Sequence, residues 1–117
     1  MKEQTERGRI EVLPSAIAAV VAQALSQCYG VVGLAPHTMA DAVANFFAPD
    51  ARRSIAVRER PDGLVIDVHL ILAHGVRLIA VARSVQHAVK YHVERVVGLP
   101  VAEVNVHIRG LQAPPGP

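Results

Sequence analysis

The sequence predicts a small single α+β domain, ordered β-α-β-(insertion)-β-β-α-β, whose mixed sheet carries two main helices on one face. Three observations predict it. Two segments, Ala16 to Tyr29 and the stretch between Gly75 and Gly98, place apolar residues on one stripe at helical spacing. Short segments between and after them alternate apolar and polar residues, as half-buried strands do. The chain has 117 residues, 51% of them hydrophobic, which is enough to bury one core without cross-links.

Taken in order, residues 1–7 are polar and mixed in charge and read as a flexible segment, so the domain runs from 8 to 111. Arg9 to Leu13 alternates polar and apolar residues and stops at Pro14, which suits a strand followed by a helix start at Pro14 or Ser15. In the first helix Ile17, Val20, Val21, Ala24, Leu25 and Cys28 share a stripe, so Cys28 points inward and Gly30 falls just past the end. Ala18, Ala19, Ala22 and Ser26 form a bland back, suited to a partner but more simply explained by helix propensity. Val31 to Ala35 forms a second strand. An insertion follows over 36–53, with Thr38 and Asp41 as a capping pair, Phe46 and Phe47 as adjacent aromatics, and Pro49 as a stop.

Ser54 to Arg60 and Leu64 to Leu72 make a hairpin around Pro61-Asp62-Gly63, where glycine permits positive φ. Leu64, Ile66, Val68, Leu70 and Leu72 face the core, whereas Val65, Asp67, His69 and Ile71 face outward. The second helix buries Leu78, Val81, Ala82, Val85, Val89, Val93 and Val96. The last strand, Ala102 to Arg109, sends Ala102, Val104, Val106 and Ile108 inward and Glu103, Asn105, His107 and Arg109 outward. Residues 112–117 are a Pro/Gly tail expected to be disordered.

Charge and composition exclude several functions. The net charge is +2 and charges of both signs interleave, so no basic patch marks a nucleic acid or an anionic membrane. Two phenylalanines and two tyrosines give no platform for stacking bases. Gly30-Val31-Val32-Gly33 matches a G-x-x-G, but its two valines offer nothing to a nucleic-acid backbone. No apolar run approaches the ~18 residues a membrane span needs, and a single cysteine allows no internal disulfide. The expected location is cytoplasmic, with no direct membrane insertion.

Chemistry is sought first in "SVQHAVKYHVERVVGL", residues 84–99. His87 and His92 lie about 140° apart around a helix and cannot grip one metal. His87 meets Tyr91 at i,i+4 as an exposed contact. His69 and His74, five apart in a strand, face opposite ways. A better cluster is the outward sheet face, where Asp67, His69, Glu103 and His107 converge if the last strand lies beside Leu64–Leu72; a solvated face with cross-strand pairs is the simpler reading. Nucleophile-elbow, phosphate-loop and dinucleotide signatures are absent from the sequence.

The fragments "GRIEVLPSAIAAVV", "YGVVGL", "HG" at His74-Gly75, "SVQHAVKYHVERVVGLPV" and "VNVHIRGL", with Gln86 eleven residues after Gly75 and Gly98 twelve after that, form one ordered string. On these pieces, from Gly8 to about Leu111, the chain resembles the bacterial alkaline-shock and general-stress proteins of the Gls type. It departs at Ser54-Ile55, where Gly-Val is usual, and at Ile79, where a Pro often starts the helix. The resemblance implies a non-enzymatic envelope stress protein without cofactor, self-associating as a homo-oligomer and recruited to the envelope by a membrane-anchored protein. Its alternative is an accessory role to a dihydroxyacetone- or fatty-acid-type kinase. A small ligand or metal on the outward sheet face is the third reading, drawn from the residues alone. Expected partner contacts are Ala19, Phe46, Phe47, Asp67, His69, Ile71, His107 and Arg109, with no nucleic acid among the partners.

Overall fold

Lys2–Thr5 (β1) and Gly8–Glu11 (β2) pair antiparallel, so the segment expected to be flexible is the first arm of a hairpin. The computed structural model describes residues 1–35 and 54–113; Phe46, Phe47 and the predicted Thr38–Asp41 cap lie outside them. Every residue of the hairpin strands is exposed. A two-stranded ribbon is marginal by itself, and this one is tied at its base by Val12 N–H to Met1 O and the Met1 amino group to Val12 O, both 2.7 Å.

Pro14 at the first helical position opens α1 (Pro14–Ser26), where its missing N–H costs nothing. The helix stops at Ser26, short of Tyr29. Ile17, Val21, Ala24 and Leu25 are buried as predicted, and Cys28 is half-buried. Ala18 corrects the sequence reading: placed on the outer face, it is only 2% exposed, because the stripe is wide enough to take in a neighbouring small residue.

Val31–Leu34 (β3), Ile55–Arg60 (β4) and Gly63–Ala73 (β5) follow, then Leu78–Val97 (α2) and Val101–Gln112 (β6). β5 is the hub of a 4-stranded sheet. Along one edge β4 pairs antiparallel with its first half and β3 with its second. The two shorter strands meet at His69, which donates its N–H to Ser54 O and accepts at its carbonyl from Ala35 N, both at 2.9 Å. Along the other edge β6 runs parallel to β5, a pairing that requires a crossover, supplied by α2. Gln112, expected in the disordered tail, is the last residue of β6.

Two glycines are demanded by geometry. Gly63 has φ +142°, and a Cβ there would sit 2.8 Å from Pro100 O and 3.0 Å from Ala102 N, where β5 and β6 begin side by side. Gly98 ends α2 in the left-handed conformation, φ 83°, its N–H reaching Glu94 O.

The core lies between the sheet and both helices: Leu64, Ile66, Val68, Leu70 and Leu72 of β5 pack with Ile17, Val21 and Leu25 of α1 and Val81, Val85, Val89 and Val93 of α2. The fold is α+β, with both helices on one face of a mixed sheet. In α2 the buried row steps by four from Val81, so its continuation is the core-packed Val97, whereas Val96, predicted inward, is 57% exposed.

Candidate functional site

Strand alternation turns Val65, Asp67, His69 and Ile71 of β5 away from the helices. The parallel register sets Val65 beside Glu103, Asp67 beside Asn105 and His69 beside His107; the antiparallel register sets Arg58 beside Val65 on the other flank. Three strands thereby contribute to one polar layer.

Asp67 sits at its centre. Arg58 Nη2 donates to its Oδ2 at 3.2 Å, and His107 Nε2 lies 3.2 Å from its Oδ1. A carboxylate only accepts, so this nitrogen of His107 carries the proton. Burial alone pushes the Asp67 carboxyl up, but hydrogen bonds from His107, Asn105 and Arg58 together outweigh it and hold the group below its ordinary range. His107 stacks on His69, centroids 4.5 Å apart and planes inclined by 12°. Arg109 Nε donates to His69 Nδ1 at 3.0 Å, so that nitrogen is the unprotonated one and His69 is the neutral Nε2–H tautomer. At the other end Arg60 joins Asp62 through two bonds, at 3.0 and 2.9 Å, and reaches Glu103 at 3.1 Å across β5. Val65 beneath this bridge is only 1% exposed.

The face therefore holds its own charges. Of the expected cluster, His107 meets both Asp67 and His69, but Arg58 takes one oxygen of Asp67, Arg109 takes a nitrogen of His69, and Glu103 is turned away to Arg60 and Asn105. Among the described residues no group of three or more His, Cys, Asp or Glu could hold a metal ion. Of the expected contact residues, Ala19, His107 and Arg109 are exposed, Asp67 and Ile71 are half-buried, and His69, although turned outward, is only 7% exposed.

On α2, His87 is exposed, and the hydroxyl of Tyr91 accepts from Arg95 Nη1 at 3.0 Å. His92 lines a cavity of about 280 Å³ with Ala24, Gln27, Cys28, Ala88 and Tyr91, its Nε2 buried and without a hydrogen-bond partner among the described residues. Burial pushes the Cys28 thiol up, away from the thiolate that a nucleophile needs.

Sequence reasoning missed Arg58, Arg60 and the polar row Gln86, Lys90, Glu94. That row closes the start of β6: Gln86 Nε2 donates to Val104 O at 3.0 Å, Lys90 Nζ to Val101 O at 3.3 Å, and Glu94 Oε2 accepts from Val101 N at 2.9 Å. The i, i+4, i+8 spacing of the three was the available signal.

The sequence profile of the alkaline shock protein 23 family, described by a cell envelope-related function, matches residues 2–113. The chain belongs to this family. Within the alkaline-shock family it is similar to the uncharacterised protein YloU of Bacillus subtilis, 32% identical over 111 residues, covering 93% of this chain and 92% of the relative. A second Bacillus subtilis protein, the uncharacterised YqhY, is 29% identical over 94% of this chain and 82% of its own. The uncharacterised Spy1614 of Streptococcus pyogenes is 28% identical over 96% and 94%. No solved structure matches the chain at a significant level. Family membership brings an envelope-related role. Among the described residues no helix is long and apolar enough to cross a membrane.

Proposed function

We propose that this alkaline-shock family protein is a non-enzymatic module of the envelope stress response that works by self-association and by holding a membrane-anchored protein partner. One observation carries the reading: the outward sheet face is a pre-ordered polar surface in which Arg58, Asp67 and His107 lock together, with His69 and Arg109 beside them. A surface held by its own cross-strand bonds loses little side-chain freedom on docking, which favours binding. A nucleophile beside a base is not among these groups, and the family's envelope-related function agrees with an adaptor.

Fractionation of the native cell tests it. The tagged protein is expected with the envelope fraction, and Asp67→Arg, which reverses the central charge, is expected to release it while leaving the helical circular dichroism unchanged. Wild type recovered wholly as a soluble monomer would overturn the reading.

A further inference from the structure

The outer edge of β6 has a register that is complementary to itself. β6 pairs with β5 alone among the described strands. In a parallel pair, alternate residues bond the neighbour and the others turn their backbone groups to the free side. Val104 is one of the latter, because its carbonyl goes to Gln86 of α2. The register is regular from Val104 to Ile108, so Val106 and Ile108 also present their N–H and C=O to the free edge. Side chains of α2 close that edge at Val101 and Val104 and, among the described residues, leave it open beyond.

We propose that a second copy of this chain adds to the open edge, β6 against β6 and antiparallel, about a two-fold axis through Val106. This rests on the self-association in the reading above and names its surface. In this register Val106 faces itself, Val104 faces Ile108, Asn105 faces His107, and Glu103 faces Arg109 of the second copy, twice by symmetry. Moving the axis by one residue sets Asn105 or His107 opposite itself and separates Glu103 from Arg109. Among the described residues Arg109 bonds to His69 and to no carboxylate, and the exposed Glu103, held within its own copy by Arg60 at 3.1 Å and by Asn105 at 3.5 Å, takes Arg109 of the second copy as a further partner. The Val104 carbonyl has a second lone pair for the N–H of Ile108 while keeping Gln86. Pairing over Glu103 to Arg109 alone falls below the ~1,000 Å² of a stable interface, so the dimer is weak and concentration-dependent.

Charge reversal tests the register. Sedimentation equilibrium from ~10 µM to ~1 mM, a span suited to weak association, is run on wild type, Glu103→Arg, Arg109→Glu and an equimolar mixture of the two variants, with circular dichroism as the folding control. Each variant alone opposes like charges twice and is expected to associate at least ~tenfold more weakly. The mixture restores both opposite-charge pairs and is expected to regain association. In a second test Val106→Cys, made with Cys28→Ser so that it carries the only thiol, is expected to cross-link as a dimer under mild oxidation. Variants that associate like wild type, or a mixture no stronger than its components together with no cross-link, would overturn the register and leave self-association standing. A wild type monomeric at the highest concentration would overturn both.

Discussion

Glu94 on α2 accepts the backbone N–H of Val101 on β6 at 2.9 Å, and Lys90, one turn earlier, donates to the carbonyl of the same residue. Two side chains of a helix thus stand where a further strand would pair with Val101. Unpaired strand edges invite other strands, and this one is closed where it begins.

Removing the cap therefore has a local cost. Glu94→Ala leaves the N–H of Val101, a buried residue, without its acceptor and is expected to cost about 1–3 kcal/mol. Gln86→Ala, losing a neutral bond to Val104 O, is expected to cost about 0.5–1.5 kcal/mol. Denaturant unfolding measures both, and amide exchange at Val101 is expected to quicken in Glu94→Ala alone.

Asp67 makes stability depend on acid. Its folded pKa lies below the unfolded one, so the stabilisation is present above pH ~4 and is lost as pH falls through the folded value. Because the carboxyl lies near solvent, Asp67→Asn is expected to cost only about 1 kcal/mol or less at pH 7. Melting curves for the two proteins are expected to converge as pH falls below ~4, the ordinary carboxylate range.

The tautomer of His69 is directly observable. Nitrogen NMR near neutral pH is expected to find Nδ1 unprotonated, and Arg109→Ala is expected to shift the ring toward a mixture of tautomers. A protonated Nδ1 in wild type would contradict the Arg109 bond.

Val85 is at the middle of the buried row of α2 and has no exposure. Val85→Asp buries an unpaired charge and is expected to cost at least ~4 kcal/mol, enough to prevent folding. Soluble protein with an unchanged melting temperature would rule out this packing.

Gly63→Ala tests the start of the parallel pair. Its φ and the 2.8 Å approach of Pro100 O leave no room for a methyl group, and a loss of about 2 kcal/mol or more is expected. The same change at Gly33, where a Cβ meets nothing within 4 Å, is expected to be mild.

The amino-acid sequence by itself determined the faces of the elements. Alternation from Leu64 to Leu72 separates core from outward residues, the steps of four from Val81 to Val93 define the buried row, and Pro61-Asp62-Gly63 joins β4 to β5. These are local properties, set by the two periods of the backbone and by the few residues that accept a turn. Tertiary structure alone decided which strands are neighbours. Nothing within β6 says that it lies parallel to β5, yet that choice brings His107 onto His69 and within reach of Asp67, the latter 40 positions away. The hairpin register carries Arg58 to Asp67, and the crossover lays Gln86, Lys90 and Glu94 against the edge of β6. Only one arm of the hairpin of residues 2–11 was legible, through the alternation that begins at Arg9; Lys2–Thr5 is polar throughout and fully exposed, so no apolar pattern marked it, and pairing with Gly8–Glu11 makes it a strand.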